Sequence, residues 1–173
     1  MARILNAIYR LAAILAAGCI GAICLLISAQ VLLNAGSRLG LPLPTTIPSY
    51  ADFSGFLLAG ATFLALPWTM RTGGHVRVSL VTRTLPPRLR LWVELAVIAL
   101  SACFSGFAAW YAFLLVEESI AFGDVSPGIV PVPLWLPQLF MVTGLTLLTL
   151  SLVHSLFETW AAREPVLGGG EEA

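Results

Sequence analysis

The chain has 173 residues and no formal net charge, and 58% of its residues are hydrophobic whereas only 10% are charged. A soluble domain carries about a quarter charged residues, so this composition excludes an ordinary soluble fold and indicates an integral membrane protein. All basic residues are arginines scattered along the chain. They do not form the clustered basic surface that nucleic-acid binding requires.

The first apolar segment runs from Leu11 to Ser37 without a charged residue. As a helix rising about 1.5 Å per residue, it is long enough to cross a hydrocarbon layer of about 30 Å. It is too long for the apolar core of a cleaved signal peptide, which has about 7–15 residues. Two further charge-free segments follow, at Phe53–Met70 and Leu95–Val116.

The fourth apolar segment, Val125–Phe157, begins with a proline-rich stretch. Proline is tolerated in the first turn of a helix but not further in, so this helix is predicted to start near Pro133 or Trp135. Backbone polar groups in lipid must be satisfied within the segment, so all four are predicted to be helices. The fold class is therefore an all-α membrane protein, with helices at about 11–35, 51–70, 91–116 and 133–157 in one domain, 1–165. The tail, 166–173, is predicted to be disordered and cytoplasmic.

The arginines predict the orientation of these helices. Four crossings place the N-terminus, the connection between helices two and three, and the C-terminus on one side, which carries eight arginines. The opposite side carries Arg38 alone. Because cytoplasmic segments are enriched in Lys and Arg, both termini are predicted to be cytoplasmic.

Aromatic side chains lie near the predicted helix ends, as is typical of residues that anchor a helix in the headgroup region. The predicted cytoplasmic anchors are Tyr9, Trp68, Trp92 and Trp160, and the outer ones are Tyr50, Trp110, Tyr111 and Trp135.

Small residues also recur at four-residue spacing, which predicts close helix packing within a bundle or against a partner without deciding between them. These stripes are Ala13, Ala17 and Gly21 in helix one; Ala51, Gly55 and Ala59 in helix two; and Ser101, Ser105 and Ala109 in helix three.

The connection between helices two and three has a pattern of its own. Gly73 and Gly74 end the second helix, and Val78, Val81 and Leu85 then recur at helical spacing among arginines. This pattern predicts a short amphipathic helix lying in the cytoplasmic interface. A solvated basic loop is the alternative.

The segment from Leu57 to Val78 contains an Ala/Gly-rich helix that ends in a basic residue, glycines and the sequence His-Val-Arg-Val. It resembles the hallmark of the small membrane subunit, DctQ type, of tripartite ATP-independent periplasmic (TRAP) transporters. The later stretch from Val130 to Gln138 is similar to the family's Pro-x-Trp start of the last helix. The resemblance covers nearly the whole chain in length and number of crossings.

The resemblance implies a multi-pass subunit of the bacterial inner membrane. Its implied partners are a large permease subunit and a periplasmic solute-binding protein, besides membrane lipids and without nucleic acid. The permease would import an organic acid or related solute with Na⁺, and this subunit would act as its scaffold. The residues that carry the resemblance, with an expected role at the assembly interface or the cytoplasmic turn, are Asp52, Gly60, Arg71, Gly74, His75, Arg77, Pro133 and Trp135.

The chain departs from the family pattern at three places. Asn34 and Asp52 occupy positions near which many members have Arg and Glu, and Ser79 stands where many have an acid. Asp52 is interpreted as a helix cap or dipole partner rather than an ion ligand.

Two other function classes are alternatives to a transporter subunit. A membrane redox protein would use haem between His75 and His154, or thiols among Cys19, Cys24 and Cys103. However, haem ligands must face each other within a bundle, no third ligand has the spacing of a metal site, and no C-x-x-C is present. A self-sufficient small exporter would need an ionisable group deep in its first helix. We therefore expect no catalytic, cofactor or metal residues and no enzyme activity.

Overall fold

The computed structural model describes residues 2–73 and 86–162. These residues form four α-helices: α1 (Ala2–Arg38), α2 (Tyr50–Arg71), α3 (Pro87–Phe122) and α4 (Trp135–Ala162). All four are long and apolar enough to cross a membrane, which confirms the predicted fold class. The predicted interfacial helix falls mostly in 74–85 and the predicted tail in 163–173, both outside the described residues.

The helices extend beyond the predicted apolar segments. α1 has 37 residues, which makes it about 55 Å long at a rise of about 1.5 Å per residue. A hydrocarbon layer is only about 30 Å thick, so the helix continues through the polar turns that contain Arg3, Arg10 and Arg38. α3 also extends beyond its apolar segment. It ends at Phe122 and is followed by Gly123, whose φ of 66° is the left-handed conformation common at helix ends.

The four helices pack in the order α1, α2, α4, α3. Extensive contacts join α1 to α2, α2 to α4 and α4 to α3. α2 and α4 therefore form the centre of the arrangement, whereas α1 and α3 each have one extensive neighbour among the described residues. The result is an open row of helices rather than a closed bundle.

Small side chains form the contact between α1 and α2. Ala12 and Ala16 of α1 are buried against Leu64 of α2. Further along, Gly60 of α2 faces the sulfur of Cys19, and a Cβ placed on this glycine would lie 3.2 Å from that atom. Because no large side chain separates them, the two helix backbones approach closely, as is usual in lipid.

The closest helix contact joins α2 and α4 at a proline. Pro67 lies inside α2 and has no N–H to donate to the carbonyl of Phe63. Gly144 of α4 packs directly against that carbonyl, because a Cβ on Gly144 would lie 2.3 Å from its oxygen. Further along the same contact, the hydroxyl of Ser151 donates to the carbonyl of Pro67 at 3.4 Å. Only a glycine fits at position 144 without moving the helices apart.

Polar side chains join α4 to α3 within the membrane-spanning region. The hydroxyls of Ser105 and Thr149 lie 2.9 Å apart. They also lie 3.3 and 2.8 Å, respectively, from the carbonyl oxygen of Leu145. Nearby, Ile98, Ala102 and Leu152 form a buried apolar cluster. Hydroxyl pairs of this kind are satisfied locally and hold neighbouring helices in register.

Candidate functional site

The described polar groups gather near the two ends of the helices, and the first group surrounds Arg71. Arg71 is the last residue of α2, and its guanidinium forms two hydrogen bonds with the Glu158 carboxylate of α4, at 2.5 and 3.2 Å. It also donates to the hydroxyl of Ser155 at 3.1 Å. This two-pronged geometry is the strong form of an arginine–carboxylate pair. Together with Tyr9 and His154, we call these residues the Arg71 cluster.

The ion pair is largely shielded from solvent. The Arg71 and Glu158 side chains are 15% and 31% exposed, and Ser155 is fully buried. His154, one turn before Glu158, places its Nε2 atom 3.4 Å from the same carboxylate. The carboxylate of Glu158 therefore faces Arg71 from α2 and His154 from its own helix.

Tyr9 brings α1 into the cluster. Its side chain is fully buried, so it is not the exposed headgroup anchor that the aromatic pattern predicted. It lies close enough to Arg71 and Glu158 to feel both charges. By contrast, Trp92 and Trp160 are both 69% exposed, as expected of anchors. The Arg71 cluster thus joins three helices on the side predicted to be cytoplasmic.

Two residues of the family resemblance, Arg71 and Gly60, lie in contacts between helices. Arg71 forms the ion pair, and Gly60 packs between Cys19 and Phe140, each 3.2 Å from an added Cβ. Gly74, His75 and Arg77 lie outside the described residues. Arg71 is the last residue of α2, so the cluster fixes this end of the helix.

The other residues of the resemblance lie at the opposite ends of the helices, about 20 residues and about 30 Å away along α2. Asp52 lies in the first turn of α2, and its carboxylate packs against Gly128, where an added Cβ would lie 1.9 Å from Oδ2. The backbone N–H of Val130 donates to the hydroxyl of Ser49 at 2.9 Å. The structure therefore brings Asp52 into a contact between α2 and the α3–α4 connection, which we call the outer clasp.

Pro133 and Trp135 support this clasp from the side of α4. Pro133 forms an isolated antiparallel bridge with Val125, and Trp135 is the first residue of α4, as predicted. The N–H of Leu134 donates to the carbonyl of Asp124 at 3.0 Å. The connection between α3 and α4 is thus a hairpin-like loop whose tip, near Gly128, reaches α2.

Gln30 organises the other outer connection. It is buried near the end of α1, and its Oε1 accepts the backbone N–H of Ile47 at 2.7 Å. The hydroxyl of Thr46 lies 3.3 Å from the same oxygen, and Nε2 of Gln30 donates to the carbonyl of Thr45 at 3.2 Å. A buried amide on α1 thus holds the proline-rich segment that leads into α2.

The partners of Arg71 and the role of Gln30 were not predicted from the sequence. The available signal for Glu158 was its spacing from His154, together with the need of an arginine at a helix end for a carboxylate at the same depth. For Gln30, the signal was an amide inside an otherwise apolar helix, since such a group must find partners when buried.

The Arg71 cluster, the outer clasp and Gln30 are suited to holding helices and connections together rather than to catalysis or cofactor binding. Among the described residues, no group of three or more His, Cys, Asp and Glu side chains is arranged to hold a metal ion. Cys19, Cys24 and Cys103 are free thiols. His154 faces Glu158, while His75, the other candidate haem ligand, lies outside the described residues.

The fold and the end clusters define a multi-pass helical membrane protein whose polar contacts join its own helices. A sequence profile for tripartite ATP-independent periplasmic transporters, DctQ component, matches residues 23–162. The chain therefore belongs to the DctQ family and is a membrane subunit of a TRAP transporter in the bacterial inner membrane. The family is a transporter component and not an enzyme family. Searches of curated proteins and of solved structures each found no significant match.

Proposed function

We propose that this subunit is a passive scaffold that packs against the large permease subunit of its transporter. The permease imports an organic acid or related solute with Na⁺, and a periplasmic binding protein delivers that solute. The subunit itself neither binds the solute nor conducts it. The observation that carries this proposal is the location of the charges in a chain of the DctQ family.

Charged side chains are absent from the central parts of all four helices. α1 has none between Leu11 and Ser37, and the ion pair of α2 and α4 lies at the helix ends. Transport paths through membranes use ionisable groups near the middle of the bilayer. The deep polar groups here, such as Ser105 and Thr149, instead bond to each other. This distribution favours a scaffold role for the chain over a transport path within it.

The open row supports association with a larger membrane protein. An isolated bundle buries its small residues between its own helices, whereas here, among residues 2–73 and 86–162, α1 and α3 each pack extensively on one other helix only. Bulky apolar residues are exposed along α1 and α3, including Leu25 and Phe107. A second membrane protein or lipid must cover these surfaces in the membrane.

In the proposed orientation, the Arg71 cluster is cytoplasmic and the outer clasp is periplasmic. The arginine distribution supports this, because only Arg38 lies on the outer side. The clasp and Gln30 hold both outer connections against the helices. They would present a firm surface on which the binding protein docks.

The first test is purification of the tagged subunit from its native membranes in mild detergent, with mass spectrometry of the chains that co-purify. The proposal expects a stable partner with about a dozen membrane helices. Recovery of this chain alone, with transport or redox activity of its own, would contradict it.

The coupling ion and solute class need a second assay. The purified complex is reconstituted into vesicles with its binding protein, and uptake of radiolabelled organic acids is measured with external Na⁺ or K⁺. Uptake should require Na⁺ and all three components. Uptake by vesicles that contain only the large permease and the binding protein would refute the need for this scaffold.

A further inference from the structure

The charge-free segment of each helix marks the part that lies in hydrocarbon, because a charged side chain is costly there. In α1 this segment covers residues 11–37, and its midpoint is Cys24. In α3 it covers residues 95–116, and its midpoint lies beside Ser105. If the helices stood upright in a bilayer, these two midpoints would lie at the same level of the structure.

Contacts between the helices define two levels at which this can be checked. Gly60 of α2 defines the first, because an added Cβ there would lie 3.2 Å both from the sulfur of Cys19 in α1 and from Phe140 in α4. Ser105 of α3 defines the second, because its hydroxyl lies 2.9 Å from that of Thr149 in α4. Positions on different helices can therefore be compared along the length of the row.

Measured in this way, the two midpoints lie far apart. On α4 the second level is nine positions beyond the first towards the Arg71 cluster, which is about 14 Å. On α1, Cys24 is five positions beyond Cys19 in the opposite direction, towards the outer clasp, which is about 8 Å. The apolar centre of α1 is thus displaced by about 20 Å from that of α3.

The two central helices have intermediate centres. The charge-free segment of α2, 53–70, has its midpoint one to two positions past Gly60 towards the Arg71 cluster. That of α4, 135–157, has its midpoint six positions past Phe140 in the same direction. The centres therefore shift steadily in the order α1, α2, α4, α3, which is the order of the helices in the row. A tilt of the whole row produces this order, whereas unrelated differences in helix length would not.

Exposed side chains at the outer end slope in the same sense. Gln30 holds the connection before α2, so Leu32 lies beyond the start of α2, and it is 71% exposed. On α3, Glu118 is exposed and adjoins Ser119, whose hydroxyl accepts a hydrogen bond from Gln138 in the first turn of α4 at 2.9 Å. An upright row would place the leucine in water and the glutamate at the edge of the hydrocarbon. A sloping membrane boundary places both correctly.

We infer that the row is tilted within its own plane, so that lipid contacts an oblique belt formed by residues 11–37 of α1 and residues 95–116 of α3. A displacement of about 20 Å over three helix spacings of about 8–10 Å corresponds to a tilt of about 35°. Single membrane helices reach tilts of about 40°. The outer end of α1 is immersed in lipid, and the α3–α4 connection stands clear of the bilayer. The inference concerns the subunit and the bilayer alone, so it holds with or without the proposed scaffold role.

Two native cysteines report the tilt directly. Cys24 and Cys103 are both exposed. Each is kept as a single cysteine, with the other two cysteines replaced by alanine, and is labelled with a nitroxide in the full chain in lipid nanodiscs. Collision with O₂ and with a water-soluble nickel chelate gives the depth of each label. The oblique belt places both near the bilayer centre, less than about 10 Å apart in depth, whereas an upright row separates them by about 20 Å. A separation of about 10 Å or more would overturn the inference.

The outer boundary provides a second test. Leu32→Cys and Glu118→Cys are made in a chain without its native cysteines and treated with a charged, membrane-impermeant thiol reagent. A thiol in hydrocarbon stays protonated and meets no reagent, so Glu118→Cys should react at least about tenfold faster in nanodiscs. Equal rates after unfolding in detergent are the control. Equal rates in nanodiscs, or faster reaction at position 32, would overturn the oblique belt. Neither assay includes the permease, so failure here leaves the proposed function intact, and its own test is the co-purification.

Discussion

Separating Arg71 from Glu158 should loosen the subunit at its cytoplasmic end. Glu158→Gln keeps the shape of the side chain but removes its negative charge and one of the two oxygens that accept hydrogen bonds from the Arg71 guanidinium. Breaking a fully buried pair destabilises a protein by about 3–5 kcal/mol, and an exposed pair contributes at most about 1 kcal/mol. The exposures of 15% and 31% place this pair between these limits. We therefore expect Glu158→Gln to lower the free energy of unfolding by about 2–3 kcal/mol.

A double-mutant cycle separates the pair from its surroundings. Arg71→Gln, Glu158→Gln and the double variant are compared with the wild-type subunit by reversible unfolding in mixed micelles. The double variant should be less destabilised than the sum of the single variants, with a coupling of about 1–3 kcal/mol. His154→Gln is the control, because its longer contact of 3.4 Å to Glu158 should contribute less. Additive effects of Arg71→Gln and Glu158→Gln would refute the reasoning.

Three further predictions concern other parts of the chain. Gly144→Ala should destabilise the subunit by about 1–3 kcal/mol, because the new Cβ would lie 2.3 Å from the carbonyl oxygen of Phe63. Gly21→Ala, whose Cβ would have no neighbour within 4 Å, is the control. Equal melting temperatures of the two variants would contradict the α2–α4 contact. Gln30→Leu should lower the free energy of unfolding by about 1–3 kcal/mol, because the N–H of Ile47 loses its hydrogen-bond acceptor. The variant should also be cleaved faster by protease in the 39–49 connection. An unchanged rate of cleavage would contradict this role of Gln30. His75→Ala and Arg77→Ala should weaken co-purification of the permease more than they lower the melting temperature of the isolated subunit. Normal assembly with wild-type uptake would refute the role proposed for that turn.

The sequence by itself determined the class of the protein and the number of its helices. Apolar segments without charge can only be helices in lipid, and this holds whatever surrounds them. The start of α4 at Trp135 was predictable as well, because the prolines before it cannot continue a helix. The family was readable from the segment around Arg71, because a motif is a local property of the chain.

Hydropathy did not predict where the helices end. α1 and α3 continue through charged turns at the edges of the membrane, where hydropathy falls although the backbone remains helical. Hydropathy reports where lipid ends, whereas hydrogen bonding within the helix decides where the helix ends.

Only the tertiary structure decided which residues meet. Arg71 and Glu158 are 87 positions apart, and their pairing depends on α2 and α4 being neighbours in the row. Likewise, the small-residue stripes of α1 and α3 look alike in sequence, yet Ser105 is buried against α4 while Gly21 remains open. In lipid, every helix face is apolar enough to be exposed or buried. The choice is made by close packing at Gly60 and Gly144 and by the few polar pairs, which are properties of two helices together.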